Sequence, residues 1–253
     1  MRAAHAGVLL TLMLMVPAPG SAAQPPPPPG APPRLLNVVR VRVKPKSAGV
    51  YASLEAQIAR AYDRARVRLY WICLQSPKDP TDVVYLNLYN SPDGPDRAAA
   101  TYHEAVEPRP DILSLQQRLS DVTLSSTSTL TTRRDDIDRA VAGVDFATLR
   151  TLRLTTFQVQ PGREGEFIRS TRTASPKDGA WLVYEANDSS TFMLFTLKKT
   201  PINRRDGPPI PRTLRRAKGL YLATDSRVYD VRLAMSHVSP AFMAAHPQLW
   251  RLP

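Results

Sequence analysis

The feature that most constrains the fold of this chain is a nine-residue pattern that occurs twice. The chain reads VKPKSAGVY over residues 43–51 and VQPGREGEF over residues 159–167. Both copies contain a valine, a spacer, a proline, three variable residues, a glycine, one more residue and an aromatic side chain. Proline ends a strand, and glycine allows a helix to approach a sheet closely. The pattern therefore predicts that one strand-to-helix joint is built twice.

The first half of the chain predicts the order strand, helix, strand, strand, helix, strand. NVVRVRVK alternates between apolar and basic residues, as a half-buried strand does. The next segment has one apolar helical face, made of Val50, Leu54, Ile58 and Tyr62. RLYWICLQ and VVYLNLYN predict a hairpin around SPKDPTD, and DVTLSSTSTLTT predicts a fourth strand after a helical region broken by prolines.

The second half repeats this order of elements. LRTLRLTTFQVQ predicts a strand before a shorter helix, and GAWLVYEA and TFMLFTLK predict a hairpin around NDSS. A basic, proline-broken segment replaces the second helix, and RVYDVRLAMSHV predicts the last strand. An offset of 116 residues aligns the two joints, 110 aligns Trp71 with Trp181, and 108 aligns VYLNLY with FMLFTL. Offsets that shrink at loops and helix ends indicate a diverged duplication.

Two copies of a split strand-helix-strand unit predict an α+β fold. Each copy is expected to be a ferredoxin-like βαββαβ repeat, and the two repeats are expected to pack sheet to sheet. The predicted division of the chain is a signal peptide at 1–23, a proline-rich linker at 24–36, a first repeat at 37–132, a connector at 133–148, a second repeat at 149–238 and a tail at 239–253.

The N-terminus has the pattern of a cleaved secretory signal. Arg2 precedes an apolar run at residues 7–16, and small residues follow at 21–23. The run is too short to span a bilayer, which takes about 20 residues. We therefore expect an exported protein, periplasmic or extracellular, with no transmembrane span after cleavage. The single cysteine, Cys73, cannot form an internal disulfide, and its apolar neighbours predict a buried hydrophobic residue.

The formal net charge of +12 is spread along the chain, with one denser basic segment at residues 198–218. This segment is expected to be either a solvated loop or a surface that docks to an acidic surface or partner. Nucleic acid is not an expected partner of an exported protein.

Alternation along the strands predicts which side chains face the space between the two sheets. Val39, Val41 and Val43 are expected to meet the helices, so Arg40 and Arg42 are expected on the open side.

In VVYLNLYN the apolar stripe of Val84, Leu86 and Leu88 assigns the alternate residues to the open side in the same way. In RLYWICLQ, Trp71 and Gln75 are assigned to the open side because Gln75 matches Glu185, a poor helix-facing residue. The polar and aromatic candidates for a ligand site are therefore Trp71, Gln75, Tyr85, Asn87 and Tyr89 in the first half, and Gln158, Trp181, Glu185, Phe195, Asp230 and Arg232 in the second.

The strand–proline–helix opening, with an aromatic residue in the first turns of the helix, resembles that of the dimeric α/β-barrel superfamily. This group includes antibiotic-biosynthesis monooxygenases and NIPSNAP-like proteins. The resemblance implies two sheets packed around an enclosed cavity, within one chain for tandem members. Some heme-degrading and quinone-forming members use Asn, Trp and His without a metal of their own. The resemblance therefore makes Asn87, Trp71 and His103 the catalytic candidates, although the second copy does not reproduce the histidine.

Three functions remain open from the sequence. The first is binding of a small anionic or aromatic molecule, of the heme, quinone or aromatic acid class, between the sheets. The second is a cofactor-independent monooxygenase or heme-degrading enzyme, and the third is an interaction protein that uses the basic segment. Packing between the sheets is the alternative role of Trp71 and Trp181. No metal site or bound cofactor is predicted, because HExxH and CxxC patterns and a phosphate-binding glycine loop are absent, and no GxSxG elbow marks a serine nucleophile.

Overall fold

The structure is a computed structural model that describes residues 32–139, 150–174, 180–197, 211–217 and 219–245. The predicted signal peptide, most of the proline-rich linker, most of the connector, most of the basic segment and the end of the tail lie outside the described residues.

Each half supplies four strands, and helices pack on their outer side. The elements of the first half are β1 (Leu35–Val43), α1 (Ala48–Ala65), β2 (Ile72–Gln75), β3 (Asp82–Tyr89), α2 (Gly94–Ala105), α3 (Pro110–Val122) and β4 (Thr123–Arg133). Those of the second half are β5 (Thr151–Val159), α4 (Glu164–Arg172), β6 (Ala180–Ala186), β7 (Thr191–Leu197), α5 (Arg212–Arg216), β8 (Tyr221–Val231), a 3-10 turn (Leu233–Met235) and α6 (Pro240–Ala245). No helix among the described residues is long and apolar enough to cross a membrane.

The eight strands form one closed antiparallel barrel in the order β1-β3-β2-β8-β5-β7-β6-β4. Four consecutive places belong to each half, and the halves join where β2 pairs with β8 and β4 pairs with β6. The predicted α+β fold of two ferredoxin-like repeats, packed sheet to sheet within one chain, is confirmed.

The registers of the strands show the duplication directly. The β1–β4 ladder shifts register between Arg42 and Val43, and the β5–β8 ladder shifts between Gln158 and Val159, which is again 116 residues later. The ladders also place Val84 of β3 at the same position as Met193 of β7, an offset of 109. The predicted offset of 108 for this strand is therefore wrong by one residue.

The strand-to-helix joint works differently from the expectation. A Cβ atom at Gly49 would meet nothing within 4 Å, and one at Gly165 would meet only the end of a flexible arginine. These glycines are therefore not needed for close packing. The shared constraint is a left-handed residue directly after each proline, namely Lys46 with φ of 69° and Gly162 with φ of 82°.

The barrel interior is filled by one apolar cluster drawn from both halves. Its buried members include Leu36, Val38, Leu86, Leu182 and Phe195. Packed interiors leave few voids larger than a water molecule. Small barrels are commonly filled by side chains in this way.

Two further clusters fasten the helices to the outer side of the sheets. Tyr51 of α1 packs with Val39, Val41 and Val43 of β1, as the alternation predicts. Phe167 of α4, the matching aromatic residue of the second joint, stacks on a phenylalanine of β7 at 4.3 Å between ring centroids. Both aromatic residues of the repeated pattern are therefore core anchors.

Two predicted details of the elements are wrong. Val50 is 53% exposed, because the buried face of α1 is rotated to Tyr51, Leu54 and Glu55. The last strand begins at residue 221 and ends at residue 231, whereas the pattern predicts residues 227–238. The residues after this strand turn back in a 3-10 turn that packs on α1.

Candidate functional site

Arg40 and Arg42 face away from the helices, as predicted. The Arg40 guanidinium donates hydrogen bonds to Asp225 and Thr156, which belong to the second half of the chain. Arg42 donates to Asp79 at 3.0 Å, in the loop before β3. These contacts place both arginines at one end of the barrel interior.

The two arginines belong to a charge-balanced cluster, here called the mouth network, with the members Arg40, Arg42, Asp79, Asp82, Asp225 and Arg227. Burial raises the pKa of Asp225, but hydrogen bonds from Arg227 and Arg40 outweigh burial and hold that pKa below its usual value. Each arginine of the network has an aspartate partner within it. The network therefore serves to link the strands and does not present a spare cation to an anionic ligand.

The face predicted for Tyr85, Asn87 and Tyr89 is wrong. Val84 and Leu86 lie in the interior cluster, whereas Tyr85 packs under α1. Because side chains alternate along a strand, all three predicted residues lie on the helix-facing side of the first sheet. They do share one face, as expected, but it is the opposite one.

Trp71 and Gln75 also lie on the helix-facing side, so their predicted orientation is wrong. Trp71 Nε1 donates to the carbonyl of Met235 at 2.8 Å, and its ring meets the edge of Tyr62. Gln75 Nε2 donates to the carbonyl of Pro80. Both side chains fasten loops to the outer side of the sheet.

In the second half some of the predicted orientations are right and others are wrong. Trp181 is fully buried in the outer cluster and donates to the carbonyl of Ile137, so it does not face the barrel interior. Glu185 pairs with Arg134 on the same outer side. Phe195 lies in the interior cluster, as predicted.

The other three candidates of the second half lie near or beyond the ends of strands β5 and β8. Gln158 shares the interior face of β5 with Leu154. Asp230 lies on the outer face of β8, where it accepts a hydrogen bond from Thr151, so its predicted side is wrong. Arg232 lies beyond the end of β8, and its backbone N–H bonds to the carbonyl of Cys73.

His103 lies on the solvent-exposed side of α2 and contacts Glu107 at 2.7 Å. The structure does not bring it to Trp71 or Asn87, because α2 presents this residue to solvent. His237, which follows the 3-10 turn, is buried. Its Nδ1 lies 2.5 Å from the carbonyl of Leu69 and its Nε2 lies 3.0 Å from Asp63 of α1.

A cluster of ionisable groups, here called the acid–phenol cluster, lies buried between α1 and the first sheet. It consists of Glu55 and Tyr51 of α1, Tyr85 of β3 and Cys73 of β2. The hydroxyls of the two tyrosines lie 2.8 Å apart. Cys73 is fully buried, which confirms the predicted hydrophobic position. Burial and the neighbouring acid raise the pKa of its thiol well above the ordinary value, so it stays protonated.

Glu55 is the distinctive member of the acid–phenol cluster. Burial raises its pKa from 4.5 to about 7, and hydrogen bonds with Tyr85 and Tyr51 counteract only part of that effect. A carboxyl group with this pKa exchanges a proton near neutral pH, as a general acid or base must. Sequence reasoning missed it, although a glutamate directly after Leu54 on the buried face of an amphipathic helix was a usable signal.

A short row of polar groups, here called the polar strip, continues from this cluster along the same side of the sheet. Its members are Asn37 of β1, Asn87 of β3 and Ser128 of β4, all at least partly exposed. Asn37 pairs directly with Asn87 across the ladder, and Ser128 Oγ donates to Asn37 Oδ1 at 2.6 Å. Asn87 is two residues from Tyr85, a distance of about 7 Å along a strand.

Possible metal ligands can be compared only within the part of the chain that the structure describes. No group of three or more His, Cys, Asp or Glu side chains there is arranged to hold an ion.

Comparison with known proteins is informative for the fold. No protein-family model matches the chain, and no curated protein matches its sequence. A provisionally assigned monooxygenase from Fusobacterium nucleatum subsp. nucleatum is 16% identical, with a TM-score of 0.51 over 79% of this chain and 93% of that chain. An anthrone oxidase-like protein is 12% identical, with a TM-score of 0.50 over 79% of this chain and 92% of that chain. The chain therefore has the dimeric α/β-barrel fold, formed within a single polypeptide.

Proposed function

We propose that the protein binds a small hydroxylated aromatic molecule on the helix-facing side of the first sheet, at the polar strip and the acid–phenol cluster. The single observation that carries the proposal is the change from partial exposure to burial along this side of β3. The partly exposed amide of Asn87 lies two residues from buried Tyr85, which adjoins Glu55. A ligand entering at Asn87 meets an amide first and a proton-exchanging carboxyl at its inner end.

The chemistry of the groups selects the class of ligand. Amide side chains can accept and donate hydrogen bonds, and Glu55 is half protonated near pH 7, so the site suits a neutral hydroxyl or carbonyl group. The tyrosine rings supply flat apolar surface for an aromatic body. The barrel interior suits a ligand less well, because the side chains of its cluster are buried, whereas Asn37, Asn87 and Ser128 of the polar strip are at least partly exposed.

Binding is tested by thermal unfolding with a panel of quinols, aromatic acids and hemin. We expect a hydroxylated aromatic compound to raise the Tm, and Asn87→Ala to remove this increase. Asn90→Ala is the matched control, because Asn90 is an exposed asparagine just after the same strand. The proposal fails if no compound raises the Tm, or if the increase survives Asn87→Ala and is lost in Arg40→Ala.

A second candidate function is oxidation of the same ligand without a cofactor, and the pKa of Glu55 favours it. A base with a pKa of about 7 can take the proton of a hydroxylated aromatic compound, and the anion formed is electron-rich enough to react with molecular oxygen. The shared fold with a provisionally assigned monooxygenase and an anthrone oxidase-like protein is compatible with this activity.

Oxygen uptake with the bound compound separates the two candidates. If the protein is an oxygenase, uptake rises between about pH 6 and pH 8 as Glu55 ionises, and Glu55→Gln lowers the rate while leaving the Tm increase in place. Absent uptake leaves binding as the function, and uptake that is unchanged in Glu55→Gln contradicts the assignment of Glu55 as the base.

Export is part of the proposal, because the N-terminal pattern supports it. Fusing residues 1–30 to a reporter that is active only outside the cytoplasm tests it, with Leu9→Arg in the apolar run as the inactive control. A fusion without reporter activity contradicts export. Docking of the basic segment to an acidic surface stays a separate prediction.

A further inference from the structure

Strand β4 extends beyond its short ladder with β6, so one of its edges is unpaired there among the described residues. Its ladder with β1 runs almost the whole length of the strand, whereas its ladder with β6 covers only Thr131–Arg133. Residues 124–128 are all exposed, and Leu124 is 63% exposed. A free row of backbone N–H and C=O groups is a template on which another strand can pair.

The free part of β4 lacks two of the features that protect strand edges, namely charged residues and proline. The segment LSSTSTL, residues 124–130, contains no charged residue and no proline. The β1 ladder pairs Arg42 with Ser125 and Val43 with Thr123, so the extra residue of the register shift is Leu124, at the start of the segment. Residues 125–130 therefore form a regular, uncharged stretch of strand.

The segment is also complementary to itself in antiparallel pairing. A register centred on Thr127 places the following side chains opposite each other: Leu124 and Leu130, Ser125 and Thr129, Ser126 and Ser128, and Thr127 and its own copy. The pairs from Ser125 to Thr129 join residues of the same sheet face, because both members of each pair are even-numbered or both odd-numbered, whereas Leu124 lies at the register shift. Leucine meets leucine at both ends, and no charges are opposed.

Strand β8 provides the comparison within the same chain. It occupies the place of β4 in the second half, and its Leu222 corresponds to Leu124 and is 59% exposed. The equivalent symmetric register would set Asp225 against a second Asp225, and like charges directly opposite destabilise a strand pair. Asp225 and Arg227 are also held in the mouth network. Self-pairing is therefore disfavoured at β8 and favoured at β4.

We propose that two copies of this chain associate through the free edges of β4, antiparallel and centred on Thr127. The result is a symmetric dimer in which one sheet continues across the twofold axis. Leu124 of each copy is covered by Leu130 of the other. The interface borders the polar strip, because Ser128 belongs to both.

Sedimentation of the purified full chain tests the proposal. The wild-type chain is expected to sediment as two copies, and Thr127→Asp is expected to raise the dissociation constant about tenfold or more by opposing two carboxylates. Thr127 is exposed, so each copy is expected to fold with this substitution. Thr127→Ser, the conservative control, is expected to stay dimeric.

A second pair of variants covers the case in which Thr127→Asp does not fold. Leu124→Lys is expected to weaken the dimer, whereas Leu222→Lys, the matched substitution on β8, is expected to leave it unchanged. A wild-type chain that sediments as one copy overturns the proposal. So does a dimer that persists in Leu124→Lys, or one that is lost only in Leu222→Lys.

Discussion

Glu55 occupies the buried face of α1, where an amphipathic pattern would place an apolar residue. Its side chain is accommodated because the hydroxyls of Tyr51 and Tyr85 reach it beneath the helix. Burial nevertheless favours the neutral form, so the protonated acid is the form that the folded protein stabilises.

The stability of the protein should therefore depend on pH through Glu55. Its folded pKa of about 7 lies above the ordinary value of 4.5, so the folded state holds a proton that the unfolded state has released. This contribution is complete below about pH 4.5 and is lost as the pH rises through 7, by about 3 kcal/mol in total. Glu55→Gln should flatten that fall when urea unfolding is measured from pH 5 to pH 8.

Glu104→Gln is the control for this measurement, because Glu104 is exposed on α2. It should leave the pH dependence of the wild-type protein unchanged. Equal slopes in the Glu55→Gln variant and the wild type would contradict the assignment.

Lys46 and Gly162 offer a matched pair of backbone positions within one chain. Both follow the proline of the joint and both have positive φ, which costs an ordinary residue roughly 1 kcal/mol. Lys46→Gly should therefore raise the free energy of unfolding by up to about 1 kcal/mol, and Gly162→Ala should lower it by a similar amount. Denaturant titration of the two variants checks both signs, and a Lys46→Gly variant that is destabilised would show that the lysine side chain contributes more than its backbone costs.

The sequence predicts the faces of β1 but not those of β3, and the difference lies in the polarity of the alternating residues. In β1 the charged Arg40 and Arg42 mark the side that is not covered by helices. In β3 both faces are buried and apolar around Val83 and Val84, because the interior of the barrel is itself a hydrophobic core. Alternation shows which residues share a face, but it cannot show which face is inside when both are covered.

At the scale of secondary structure elements, β3 and β8 are linked through Asp82. This buried carboxylate accepts hydrogen bonds from Arg227 at 2.6 Å and from Tyr229 at 3.1 Å. The two strands come from different halves of the chain, so the contact helps to hold the halves together. Its energy is limited because the Arg227 side chain is 42% exposed.

Asp82→Asn should lower the free energy of unfolding by about 2 kcal/mol, because it weakens two hydrogen bonds to a buried carboxylate. Asp79→Asn, in the exposed pair with Arg42, should change it by less than about 1 kcal/mol. A double-mutant cycle of Asp82→Asn with Arg227→Gln measures the coupling directly. Equal effects of the Asp79 and Asp82 variants would show that burial of the carboxylate is unimportant.

The order of elements could be predicted from sequence because the two halves confirm each other, yet one strand was aligned wrongly by a single residue. An offset of 108 places Val84 on Phe192, which lies in an outer cluster, whereas the true offset of 109 places it on Met193 in the barrel interior. A slip of one residue exchanges the two faces of a strand. The acid–phenol cluster could not be found from the strands, because half of it comes from α1.

At the scale of the whole molecule, the barrel makes the two halves depend on each other. The interior cluster includes Leu36, Val38 and Leu86 from the first half and Leu182 and Phe195 from the second. Two ladders, β2 with β8 and β4 with β6, close the wall between the halves. Neither sheet has an internal partner for its inner face without the other.

Fragments 32–139 and 140–253 should therefore fold together but not separately. Six buried side chains of the interior cluster come from the first half. At about 1.5–3 kcal/mol each, exposing them costs about as much as the whole stability of a typical domain. Each fragment alone should show no cooperative thermal transition, whereas the co-expressed fragments should purify as a complex that shows one. A fragment that sediments as a single copy and unfolds cooperatively would mean that the helices stabilise each half without barrel closure.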